Sequence, residues 1–158
     1  MKRNNDTVLT ENGFQAICRA HALREKERLF SESEIAYKLS FMFLAHPESY
    51  AYALFFDRSM AYRSFVKLKV KGEPIGRSVL EEIAKAIDSD PAIKAFIVSH
   101  NHRNALKVPS PEDIKTTDIL TEHYRESKVK FLGHYIISDF EYMILTESSL
   151  KCLNYKKN

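Results

Sequence analysis

Residues 95–113 read AFIVSHNHRNALKVPSPED, and the fold and the chemistry both turn on this stretch. Ala95–Val98 is an apolar run of strand length that ends in Ser99 and His100. Strand side chains alternate faces, so His100 and His102, two residues apart at the strand's end, aim both imidazoles the same way. Ser110, Pro111, Glu112 and Asp113 then announce a helix: a cap, proline at the first helical position, and two acids where the helix dipole favours negative charge. Asp113 lies eleven residues beyond His102, in a rigid first turn from which its carboxylate can close a third metal position. Three ligands leave a fourth position for water, the arrangement of a catalytic zinc site and not of a closed structural one. Each link also has a plainer account. An isolated His-x-His is weak evidence for a metal, and Ser110 with Asp113 is fully explained as helix capping.

Outward from this stretch, the helix that opens at Ser110 runs to about Arg125 and packs on Ile114, Thr117, Leu120 and Tyr124. Phe131–Ile137 and Tyr142–Leu145 finish the chain as two strands, a hairpin turning at Ser138–Phe140. Upstream, Ser78 with Glu81 reads as a capping box, and Leu80, Ile83, Ala84 and Ile87 follow at helical spacing until Pro91. Phe65, Lys67, Leu68, Lys69, Val70 and Lys71 largely alternate apolar with basic, as in a strand with one wet face. Tyr50–Phe56 is a buried strand running into Asp57. Before it, a helix starting at Ser31 or Ser33 carries Ile35, Leu39, Met42 and Phe43 on one face and stops at Pro47. Thr10 to about Phe30 is also helix-like, with Phe14, Ile17, Cys18 and His21 on one stripe. The order is two helices, two strands, a helix, a strand, a helix and two strands. It predicts an α/β (α+β) domain, a mixed β-sheet flanked by helices, over residues 31–158, with an added helical segment over 1–30.

Composition narrows the field. The chain has 158 residues, enough for one ordinary domain and not for two. Its four glycines leave no glycine-rich phosphate loop. The longest apolar run, seven residues at 50–56, is far short of the roughly 20 that a spanning helix needs, so no membrane partner is expected. The amino terminus carries charge without an apolar stretch after it, which predicts a cytoplasmic protein. Cys18 and Cys152 form no metal-type pair and read as reduced thiols in packing positions. A net charge of +3, from 24 basic and 21 acidic residues, permits nucleic-acid contact without demanding it.

Taken together, His-x-His, seven residues, and Ser-x-x-Asp, with a strand before and a helix after, match the metal-binding signature of the JAMM (JAB/MPN) metalloproteases. The surrounding chain resembles the carboxy-terminal JAB domain of bacterial RadC proteins. The resemblance rests on His100-Asn101-His102, on the Pro109-Ser110-x-x-Asp113 turn, on the strand ending in Asp57, on Gly72, and on the Leu132-Gly133-His134-Tyr135-Ile136-Ile137 strand. It covers roughly residues 31 to 150. It implies a zinc ion held by His100, His102 and Asp113, with Ser110 stabilising an oxyanion and a glutamate ahead of the first strand acting as general base. Glu48 is the match for that base, in a register one residue away from Ser49, which a small bulge would correct. Glu73, Glu81 and Glu82 are reserve candidates better explained as turn or helix-surface charges. The family usually follows its second histidine with Pro-Ser-Gly, whereas this chain has Arg103, Asn104 and Ala105.

The implied activity is zinc-dependent hydrolysis of a peptide or isopeptide bond. A second reading is a JAB/MPN interaction module that has lost catalysis. A third, DNA association, draws on Lys67, Lys69 and Lys71 and on the repair name that RadC proteins carry. Residues 1–30 could cover the core, pair two subunits in a homo-oligomer or occlude the site. His21, His46, His123 and His134 read as packing or surface histidines.

Overall fold

Six consecutive apolar residues, Ala51–Phe56 (β1), form a strand buried along its whole length. Only an interior strand covered on both faces can use such a run. The computed structural model describes residues 28–29, 31–45, 51–68, 77–102, 109–138 and 141–153. In it β1 lies between β2 (Tyr62–Leu68) and β3 (Ala95–Asn101), antiparallel to both. β3 pairs in parallel with β4 (Lys130–Ser138), which pairs antiparallel with β5 (Glu141–Leu145). The order β2-β1-β3-β4-β5 is a mixed five-stranded sheet. A parallel pair needs a crossover, supplied here by a helix, Pro111–Tyr124.

Helices cover both faces, in keeping with the α+β architecture read from the sequence. On one face Ile35, Leu39 and Phe43 of α1 (Glu32–Ala45) pack on Tyr52, Leu54, Ile97 and Tyr135. On the other, Val79 and Ile83 of α2 (Arg77–Ser89) and Leu120 and Tyr124 of α3 (Pro111–Tyr124) cover Ala53, Phe55, Phe96 and Val98. Even-numbered residues of β3 therefore face α3, which fixes the side on which His100 emerges.

Several boundaries differ from the sequence expectations. β2 begins at Tyr62, not at Phe65, and Phe65 is 50% exposed on the same face as Lys67. It leans on Tyr52, ring to ring at 5.8 Å. Ser78 stands inside α2 instead of capping it, because the helix already includes Arg77. A short helix, α4 (Glu147–Cys152), follows β5; Thr146 caps it, its side chain accepting from the Ser149 N–H. Lys69, Lys71, Gly72 and the whole of the expected 1–30 extension except residues 28 and 29 lie outside the described residues. No helix among the described residues is long and apolar enough to cross a membrane.

The β1–β2 connection is held by one carboxylate. Asp57 Oδ1 accepts from the Ser59 N–H at 2.8 Å, the Ser59 hydroxyl at 2.7 Å and the Ala61 N–H at 3.0 Å, closing a turn in which Met60 has φ of 62°. The Ser59 hydroxyl first, then the Ala61 amide, hold the Asp57 carboxyl below its ordinary value. A lowered folded value means that the contribution exists at neutral pH and disappears as pH falls through it. Asp57→Ala should lower the urea midpoint at pH 7, and the gap from the parent protein should narrow as pH falls through that lowered value.

Candidate metal centre

The site is built where β3 leaves the covered core. Phe96 and Val98 are buried on the α3 face, and His100, next in the same row, is the first to reach partial exposure. The chain stays tied to the sheet beyond the strand, since the His102 N–H donates to the Ile137 carbonyl at 2.8 Å. Both imidazoles of the His-x-His are thereby directed toward the first turn of α3, as alternation predicts.

Ser110 and Asp113 form the reciprocal cap read from the sequence. The Asp113 N–H donates to Ser110 Oγ at 3.1 Å, and the Ser110 N–H donates to Asp113 Oδ2 at 2.8 Å. The cap does not exhaust the carboxylate. Asp113 Oδ1 is 2.9 Å from His100 Nε2, and Oδ2 is 3.5 Å from His102 Nε2. The two Nε2 atoms are 2.6 Å apart. Capping and ligation are thus not alternatives here: Oδ2 is anchored by the Ser110 amide and still lies near His102, while Oδ1 faces His100.

Two imidazole nitrogens and a carboxylate oxygen meeting at 2.6–3.5 Å are three lone-pair bearers aimed at one point. A cation between them would satisfy all three. Zinc arms of about 2.0–2.2 Å in a tetrahedron set neighbouring ligand atoms roughly 3.3–3.6 Å apart, so the two Nε2 atoms, 2.6 Å apart, must open by roughly 0.7 Å, while Asp113 Oδ2 and His102 Nε2, 3.5 Å apart, already fit. His100, His102 and Asp113 are accordingly a set that could hold a metal ion.

Electrostatics prepare the ligands. Burial opposes ionisation of Asp113, but the bond and charge of His100 and the bonds from Ser110 outweigh it, and the carboxyl is held well below the usual carboxylate range. His102 is pushed below the ordinary imidazole value, chiefly by burial and then by the neighbouring His100, with Asp113 opposing. Both shifts favour the forms that bind a metal: an anionic carboxylate and a neutral imidazole.

His134 is the residue that sequence reasoning missed. It is 2% exposed and lies in β4, directly beside Val98. One ring nitrogen, Nε2, is 2.7 Å from His100 Nδ1, and the other, Nδ1, is 3.1 Å from Thr117 Oγ1. Burial, followed by the charge of His100, drives its imidazole well below the ordinary range. Gly133 just before it has φ of 152°, and a Cβ there would stand 3.1 Å from Ile144 Cγ2, so glycine lets β5 close against this part of β4. The available signal was parity. His134 has the sheet face of His100, but that face becomes readable only once the β3–β4 register is known.

The remaining candidates separate. His123 is exposed on α3 and rests on Tyr124, a surface histidine as expected. Glu81 and Glu82 belong to α2, and Cys152, expected to pack, is instead an exposed free thiol at the last residue of α4. Glu48, Glu73, His21, His46, Cys18 and the Arg103-Asn104-Ala105 loop lie outside the described residues.

Residues 31–150 match the family described as RadC-like JAB domain. A 53-residue stretch is 43% identical to a UPF0758 protein of Staphylococcus carnosus (strain TM300), covering 34% of this chain and 24% of that protein. The match therefore spans about a quarter of the relative's length.

Proposed function

Since this chain belongs to the RadC-like JAB domain family, with about three quarters of its length matched, we propose that it is a zinc-dependent hydrolase of peptide or isopeptide bonds. The observation that carries the reading is the convergence of His100, His102 and Asp113 on one point at the end of β3. Zinc bound there supplies a Lewis acid for the scissile carbonyl and an activated water at neutral pH.

The chain's own groups do the rest. Asp113 is the anionic ligand, its Oδ2 fixed by the Ser110 amide so that its direction is set before any metal arrives. Ser110 Oγ accepts from the Asp113 N–H and so keeps its own proton to donate to the developing oxyanion. Glu48 accepts a proton from the attacking water and returns it to the leaving nitrogen. Ala51 stands opposite His100 and shares its face, so unbroken alternation from Ala51 would give that face to Ser49. The role of Glu48 therefore carries with it one extra residue inserted before Ala51.

That same register favours a second reading, a metal-binding module without a base. Activity distinguishes the two. Protein prepared without chelator should contain about one zinc per chain. It should cleave members of a mixed pool of peptides and lysine-linked isopeptides, followed by mass spectrometry. Stripping the zinc with dipicolinate should stop cleavage, and one equivalent should restore it. Zinc-loaded protein that leaves the whole pool intact would favour the module.

A further inference from the structure

We propose that Thr117 and His134 form a hydrogen-bond relay that fixes which ring nitrogen of His100 is offered to the metal, making His134 a positioning residue of the centre. The inference rests on the metal-binding reading above and adds the device that prepares one ligand.

The relay follows from counting protons. Thr117 Oγ1 donates to the Asp113 carbonyl at 2.8 Å, one helical turn back in α3. A hydroxyl has one proton, so toward His134 Nδ1, at 3.1 Å, the same oxygen can only accept. His134 Nδ1 therefore carries hydrogen. His134 is buried and forms no ion pair with a side-chain carboxylate among the described residues, so its ring is neutral and its Nε2 is an acceptor. That Nε2 is 2.7 Å from His100 Nδ1, which must donate to it. With Nδ1 committed to His134, Nε2 is the atom His100 offers to a metal, and it faces His102 and Asp113; without the ion a hydrogen on Nε2 bonds Asp113 Oδ1 at 2.9 Å, and the metal takes its place.

The opposite arrangement shows what the relay prevents. Were His134 to carry its hydrogen on Nε2, it would donate to His100 Nδ1, and a neutral His100 would hold its one hydrogen on Nε2, which a metal could displace only by leaving an imidazolate. The start of the chain is the backbone carbonyl of Asp113, itself a ligand. Two of the three ligands are thus coupled through the interior, by one helix residue and one strand residue four and twenty-one positions beyond Asp113. A metal-binding histidine generally gains its orientation and basicity from such an outer partner.

Two-bond proton–nitrogen spectra of histidine-labelled protein test the relay directly. They would be recorded metal-free above about pH 8, where ordinary imidazoles are neutral, and again with zinc bound. Expected are the Nδ1–H form of His134 in both states and the Nδ1–H form of His100 with zinc bound; an Nε2–H form of His134 in either state overturns the proposal. In His134→Phe, which keeps ring bulk and loses the acceptor, zinc affinity measured against a competing chelator should fall about 10–100-fold. The His100 Nδ1–H should also lose its acceptor and exchange faster with solvent. His134→Gln, whose Oε1 can accept from His100 Nδ1–H, should recover most of the affinity. Thr117→Val should turn the His134 signal into a mixture of forms, and it carries the test if the Phe variant fails to fold. A His134→Phe protein that binds zinc as tightly as the parent, with His100 unchanged, overturns the relay. A parent protein that binds no zinc overturns the metal centre instead, while its metal-free spectrum still reads the relay.

Discussion

Asp113→Ala should lose zinc altogether at concentrations that saturate the parent protein, a larger effect than the 10–100-fold typical of a lost outer partner. The variant removes the anionic ligand and leaves two imidazoles 2.6 Å apart with nothing to balance a divalent charge. It also breaks the cap, because the Ser110 N–H loses its acceptor at 2.8 Å. A lost cap costs about 1 kcal/mol, or roughly 2–4 °C in the metal-free melting temperature for a domain of this size. Asp113→Asn separates the two roles. Its amide oxygen can still accept from Ser110, so it should melt nearer the parent while remaining zinc-free. The acid dependence has a definite sign. Asp113 has a depressed folded value, so its contribution to metal-free stability is present above the ordinary carboxylate range and is lost only as pH falls through that depressed value. Denaturation midpoints of parent and Asp113→Ala should differ at pH 7 and approach one another in strong acid. Zinc retained by Asp113→Ala would remove the carboxylate from the centre.

Glu48→Gln should have the complementary phenotype: about 10²–10⁴-fold lower kcat with zinc content unchanged. Glutamine keeps size and polarity and cannot take a proton, so the loss isolates proton transfer from metal binding. Ser49→Ala, at the neighbouring register, should leave kcat within a few-fold of the parent. The reverse result, with Ser49 variants impaired and Glu48→Gln unaffected, would remove Glu48 as the base. Metal analysis and turnover on the same preparations decide between these outcomes.

How much of this was legible in the sequence follows from how local each signal is. The β3 run, the His-x-His parity and the Ser110–Asp113 cap depend on residues within one turn or one strand of each other, and the structure assembles them as read. β1 was legible because six apolar residues in succession fit only a strand covered on both sides. The short α4 escaped because a six-residue helix with one buried side chain, Leu150, has no periodicity to show. The start of β2 escaped for a different reason. Arg63 and Ser64 break its apolar pattern, and pairing with β1 decides the strand instead. His134 escaped because its importance is wholly tertiary. It sits 34 residues from His100, and only the parallel β3–β4 register brings the two rings together. Thr117 was read as a packing residue from its helical spacing, correctly; its hydroxyl bond to His134 required that same register.

The most direct test of the whole account is anomalous X-ray scattering at the zinc edge from crystals grown with the metal. One strong peak is expected within about 2.0–2.2 Å of His100 Nε2, His102 Nε2 and an Asp113 carboxylate oxygen. Zinc-saturated crystals with no peak among those three side chains, or with the ion held elsewhere, would contradict it.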